Sequence, residues 1–238
     1  MQTIQNKLRN HKYNNDYEPL RVDVRIIPPF YTTSPWIFFD GIVSYLCMRD
    51  VLGESFWSLP SDHVVNLENL DIPLEHTKDV YHASVGILDN PVLKKTTVFK
   101  RFTDYEVNTL DDSVNKGRLR TNSGYYKDAM INLPAVVTDN ITFYCKGDKQ
   151  ELTRLLKHLQ YVGKKTAYGG GEVKDISITS INEDYSFLKE GKVMRPIPVG
   201  VIDVPVVPGR SWRKCTYKSP YWDGSQSRMC VVPENQLV

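Results

Sequence analysis

The sequence predicts a single α+β domain in which a strand, a helix and further strands are followed by a second strand–helix–strand unit. Three observations predict it: apolar alternation over Leu20–Ile27, an apolar stripe at helical spacing from Phe38 to Leu52, and a second strand–helix–strand cycle between Val136 and Ile181.

Residues 1–18 are polar and rich in asparagine, and a flexible arm is expected there, with residues 19–238 forming the domain. Leu20, Val22, Val24 and Ile26 fall on one side of an extended chain, and Arg21, Asp23 and Arg25 on the other, which is a half-buried strand. Pro28-Pro29 ends it, since proline offers no ladder N–H. Ser34-Pro35 supplies a capping hydroxyl and a first-turn proline, so a helix is expected from there. Phe38, Phe39, Ile42, Val43, Leu46 and Leu52 form its apolar face, and Gly53 closes it.

Between residues 54 and 93 only Tyr81–Leu88 reads as a strand. A basic hairpin insertion is expected over about 94–131, with Thr96–Phe102 strand-like and turn chemistry from Gly117 to Gly124. It carries Lys94, Lys95, Lys100, Arg101, Lys116, Arg118, Arg120 and Lys127 against four acids, a balance that suits phosphates better than a core. Val136–Cys145 alternates again, with Val137, Ile141 and Phe143 as inward positions and a break at Asp139-Asn140. Asp148 and Glu151 then form a capping box. Leu152, Leu155, Leu156 and Leu159 make one helical stripe that is expected to run to Gly163. Val173–Ile181 is the last strand of this cycle, and the proline-rich stretch of about 190–238 is expected to wrap the domain as extended segments. The order is a ferredoxin-like (RRM-like) βαββαβ plan with a glycine-rich loop, a long basic hairpin insertion and an extended C-terminal segment.

The bulk numbers narrow the function classes. At 238 residues, 41% hydrophobic and 24% charged, the chain has the composition of a soluble globular protein. No apolar run is long enough to span a bilayer, and the polar start does not resemble a signal peptide, so no membrane association is expected. The four cysteines have no CxxC spacing, which fits free thiols in a cytoplasmic protein without a metal site. Net charge is only +2, yet residues 1–90 hold 7 Lys/Arg against 12 Asp/Glu and residues 91–238 hold 23 against 16. A basic surface directed at a polyanion follows from that asymmetry.

Gly163-Lys164-Lys165-Thr166-Ala167-Tyr168-Gly169-Gly170-Gly171 is the most informative stretch. Glycines let another backbone approach closely, and consecutive exposed N–H groups can form an anion-binding concavity. Lys164 and Lys165 add charge, and Tyr168 offers a ring for base stacking. The order departs from both the Walker A loop and GxGxxG, and a merely flexible hairpin is the alternative. A second basic-aromatic cluster, Trp212, Tyr217, Tyr221 and Trp222 among Arg210, Arg213, Lys214 and Lys218, has the composition of a single-strand binding surface, although Tyr221 and Trp222 also suit core plugs.

A helix followed by Gly163-Lys164-Lys165, an aromatic Tyr168 and Gly169-Gly170-Gly171-Glu172-Val173 resembles the signature loop of the RAMP proteins of CRISPR systems. Two further segments are similar to the five-prime-handle-binding subunit of type IV effector complexes. One is Pro35–Tyr45; the other is Met194-Arg195-Pro196-Ile197-Pro198 with the later Ser219-Pro220-Tyr221-Trp222 and Arg228–Pro233. The resemblance implies a CRISPR RNA-binding subunit that holds the 5′ handle of the guide RNA and caps a class 1 ribonucleoprotein. It also implies contact with other RAMP backbone subunits, and with target DNA and a recruited helicase. It implies no cofactor.

Some RAMP proteins instead cut precursor guide RNA without a metal, which needs a general base near the 2′-hydroxyl and an acid at the leaving oxygen. His82 and His76 are the candidates for that alternative. A binding module unrelated to CRISPR is the third reading.

Overall fold

The computed structural model describes residues 2–14, 16–59, 70–101, 122–124, 127–164, 166–202 and 211–237. Its centre is a four-stranded antiparallel sheet built from β1 (Tyr17–Ile27), β5 (Ile87–Leu88), β8 (Asn140–Asp148) and β9 (Glu172–Ser180), in the order β5-β8-β1-β9. The alternation of β1 decides its two faces. Leu20, Val22, Val24 and Ile26 are buried with Ile141, Phe143 and Cys145 of β8, while Arg21 and Arg25 lie exposed on the opposite face.

Helices cover the apolar face. α2 (Phe39–Leu52) lies between β1 and β5 in sequence, and α3 (Lys149–Leu156) between β8 and β9. The Asp148 carboxylate accepts from the Glu151 N–H at 3.0 Å, as the capping pattern predicts, and Leu152, Leu155 and Leu156 are buried. Gly53 ends α2 at φ +54°. Bidentate hydrogen bonds from Arg154 to Asp50, at 2.8 and 2.7 Å, tie the two helices together.

Several expected boundaries move, each for a visible reason. The segment read as a flexible arm contains α1 (Gln2–Asn10), whose Leu8 is fully buried in the core beneath α2. α2 begins at Phe39 instead of Pro35, because Trp36 packs into the C-terminal apolar cluster and Phe38 pairs with Val85. The Ser34 hydroxyl therefore accepts from the Trp36 N–H at 3.2 Å in a local turn and caps no helix. α3 stops at Leu156, well before Gly163. Residues 160–162 are drawn into extended pairing with 171–173, through Val162 N–H to Gly171 O and Val173 N–H to Gln160 O. Tyr81–Leu88 is broken because it changes partners: Ala83 bridges to Cys145 of β8, Val85 turns to Phe38, and Ile87–Leu88 returns to β8 as β5. Preceding it, β3 (His76–Thr77) and β4 (Val80–Tyr81) form a small hairpin.

A second sheet, in the order β2-β7-β6, contains β2 (Phe30–Tyr31), β7 (Ala129–Val137) and β6 (Val92–Lys100). The flanks of the basic insertion thus pair antiparallel, from Val92↔Val137 to Lys100↔Ala129. Residues 102–121 and 125–126, with Lys116, Arg118 and Arg120 among them, lie outside the described residues.

The stretch expected to wrap as extended chain folds further than that. After the hairpin β10 (Leu188–Lys189) and β11 (Lys192–Val193), the strands β12 (Ile197–Pro198), β13 (Trp212–Thr216) and β14 (Ser227–Val231) form a sheet in the order β12-β14-β13. It closes on its own apolar cluster of Trp36, Val80, Val85, Phe187, Ile197 and Tyr217 among others. Downstream, the Gln236 amide clamps β5: its Oε1 accepts from Leu88 N–H at 2.7 Å and its Nε2 donates to Gly86 O at 3.0 Å. All four cysteines are free thiols, and no helix among the described residues is long and apolar enough to cross a membrane.

Candidate nucleic-acid interface

The glycine-rich loop begins at Gly163, beyond the extended residues 160–162 that follow α3, and returns to the central sheet at Glu172. Gly163, Gly169 and Gly171 adopt φ of +97°, +78° and +71°, a region that side-chain-bearing residues avoid. What approaches these glycines is the protein itself. A Cβ on Gly171 would lie 2.0 Å from Val162 O, and one on Gly170 would lie 2.5 Å from the Tyr31 ring. Gly171 N–H donates to Pro29 O at 2.9 Å, and Gly169 N–H to Thr166 O at 2.8 Å. The expected run of consecutive exposed amides across Gly169–Gly171 is therefore not formed; Gly170 and Gly171 are buried and serve to seat the loop on Pro29–Tyr31.

That seat has a consequence for charge. Lys164 N–H donates to Tyr31 O at 2.7 Å, and Lys164 stands opposite Tyr31 as an added rung on β2. Tyr31 stands opposite Ala135 of β7, and Ala135 opposite Lys94 of β6. Residues paired across antiparallel strands project to the same face. Lys164, Tyr31, Ala135 and Lys94 thus form one row about 14 Å wide, three strand spacings of ~4.8 Å. Lys100 lies on the same face of β6, three two-residue repeats further along. The exposed Lys164 ammonium donates to Thr33 Oγ1 at 2.6 Å, which holds it at the rim. Tyr168 and Gly169 are exposed on the loop, with open space around the Gly169 Cβ position.

Other named residues separate. Lys95 and Arg101 project to the opposite face of the ribbon, where the Arg101 guanidinium sits 5.7 Å over the exposed Phe99 ring. Lys127 is exposed just ahead of β7. Lys165 and Arg210 lie outside the described residues. In the C-terminal cluster, Trp212 and Lys214 project from one face of β13 and Arg213 from the other, all exposed. Tyr217 is buried and Tyr221 half-buried with its hydroxyl turned to the buried Asp40, whereas Trp222 is 68% exposed, so the two candidate plugs divide.

Tyr221 locates a feature that pattern reading missed. The fully buried Arg195 donates to Ala83 O, Tyr217 O and the Asp40 carboxylate, and the Tyr221 hydroxyl donates to Asp40 at 2.6 Å. The Tyr221 ring stacks on Phe38 with centroids 3.6 Å apart, and Gly41 leaves room for its edge. Desolvation of Tyr221 and its carboxylate neighbour push its hydroxyl pKa well up, so it stays a donor. Asp40 comes from one of the two segments that carried the resemblance outside the glycine loop and Arg195 and Tyr221 from the other, and their polar groups meet inside the protein.

The imidazoles are held elsewhere. His82 Nδ1 lies 2.7 Å from Asp184 Oδ2, and its Nε2 2.8 Å from Thr77 Oγ1. His76 contacts Lys78 O through Nδ1 at 3.0 Å and stands opposite Tyr81. Among the described residues no group of three or more His, Cys, Asp or Glu side chains converges as a metal site.

Residues 18–233 match the family model described as CRISPR type IV associated protein Csf3. No curated protein matches the chain.

Proposed function

The chain belongs to the Csf3 family of type IV CRISPR-associated proteins, and on that premise we propose that it is a non-catalytic subunit that holds the 5′ handle of the guide RNA and caps the ribonucleoprotein. The observation that carries this reading is the row Lys164–Tyr31–Ala135–Lys94, which joins the glycine-rich loop to the basic ribbon: Tyr31 and Ala135 are buried within it, and the lysines stand exposed at its two ends. Two ammonium groups on a rigid backbone, beside an exposed Tyr168, suit a sugar-phosphate chain with a base laid on the ring. The arrangement supports gripping more than sequence readout, because lysine ammonium groups suit phosphate oxygens, which carry no base identity.

The strand order supports a ferredoxin-like, RAMP-type reading of the central sheet. Counting its strands in chain order, the sheet runs fourth, first, third, second, with a helix after the first and after the third. Such a domain would pack against a RAMP backbone subunit while the glycine loop faces the RNA.

His82 is read here as structural, since both of its ring nitrogens have protein partners and neither is left for a 2′-hydroxyl. The purified protein, mixed with labelled repeat RNA in EDTA, is expected to retain the RNA uncut. Cleavage that disappears in a His82→Ala variant would replace this reading with that of a metal-independent endoribonuclease.

A further inference from the structure

The two outer strands of the central sheet are treated differently. β5 is closed by the Gln236 amide, whereas among the described residues the outer side of β9 is paired only at its start, by residues 160–162. Ile181 N–H donates to Pro19 O at 2.9 Å, so antiparallel alternation turns the backbone groups of Asp175, Ser177 and Thr179 toward β1. The N–H and C=O groups of Ile176, Ile178 and Ser180 then point outward. Ile176 and Ile178 are half-buried and line a groove of about 420 Å³ with Leu156, Leu159 and Val173.

We propose that the open stretch Ile176–Ser180 is a docking edge for an extended, acidic segment of another protein chain, which adds a strand antiparallel to β9. Outward amides and carbonyls at alternate positions accept only a β-strand, and Ile176 and Ile178 ask for aliphatic side chains at alternate positions of that strand. Charge selects its other positions. The groove carries Lys157 and Lys174 against Asp175, and Lys149 stands at its end on Ser180 Oγ at 2.9 Å. A second copy of this chain would bring the same lysines against these, so an acidic partner fits and self-pairing does not. The incoming strand continues a ladder that residues 160–162 have already begun.

The test measures amide exchange by NMR with a peptide of alternating valine and glutamate, equal in length to β9, and a control alternating valine and lysine. The acidic peptide is expected to slow exchange at Ile176, Ile178 and Ser180 about tenfold, as an added ladder does, and the basic one to leave it unchanged. An Ile178→Pro variant, which removes an outward N–H as well as the isoleucine side chain, is expected to lose the effect at Ile176 and Ser180; Ile178→Ala, which loses that side chain but keeps the N–H, is expected to retain it. Unchanged exchange with the acidic peptide, equal protection by both peptides, or wild-type protection in Ile178→Pro would each overturn the proposal. So would protection that arises without peptide as the chain dimerises. The wild-type peptide comparison decides the matter even if the proline variant fails to fold.

Discussion

Arg195 and Asp40, 155 residues apart in sequence, meet at 3.3 Å with both side chains fully buried. Three segments depend on that meeting: α2, the strand-poor Met194–Pro198 and the Tyr221 turn. Removing one partner of a buried ion pair strands the other charge, at a cost of about 3–5 kcal/mol. Asp40→Ala is therefore expected to lower the urea midpoint strongly. Tyr221→Phe removes one buried donor and is expected to cost about 1–3 kcal/mol. Equal losses for the two variants would contradict the ranking.

Gly171→Ala and Gly169→Ala separate packing from backbone strain. Both sites have positive φ, which costs an alanine about 1 kcal/mol. Only at Gly171 does the new Cβ collide with backbone, at 2.0 Å from Val162 O. Gly171→Ala is expected to unseat the loop and broaden the amide resonances of Tyr31 and Lys164, while Gly169→Ala leaves them in place. Matching spectra for the two variants would argue against the seat on Pro29–Tyr31.

Lys94→Ala and Lys164→Ala are expected to weaken RNA binding and to lower the slope of log K against log salt by roughly 0.7 each for a single strand. Lys95→Ala, on the other face of the ribbon, is expected to change the slope less. A slope unaffected by the Lys94 and Lys164 changes would remove the row from the interface.

Hydrogen bonds from Arg154 hold the Asp50 carboxyl below its ordinary range, against a smaller opposing effect of burial. A carboxylate depressed on folding contributes stability above its unfolded pKa, near ~3.9, and loses that contribution as pH falls through the lower folded value. Stability is thus expected to drop on acidification below about pH 4, less steeply in Asp50→Asn. Arg154 is partly exposed, so the effect is worth at most about 1 kcal/mol. An unaltered acid limb in Asp50→Asn would show that the pair is already broken in solution.

Much of the central sheet was legible because its signals are local. The alternation of Leu20–Ile26 and the Asp148 cap operate within a few residues, and both recur in the fold. The start of α2 was not legible, because Ser34-Pro35 is a sound cap overridden by what Trp36 and Phe38 pack against far along the chain. The same holds for the candidate interface. Composition marks the glycine run, but the partner that presses on it, Tyr31, lies more than a hundred residues earlier. The alignment of Lys94 with Lys164 runs through β2, a strand of two residues that no periodicity can reveal.

The Gln236 clamp gives the central sheet a direction of growth. With one flank sealed from within by a side chain posing as a neighbouring strand, any lengthening must happen on the β9 flank and stops after one addition unless the newcomer brings a free rim of its own. A molecule so finished can join a defined assembly without seeding an endless ribbon of its own kind.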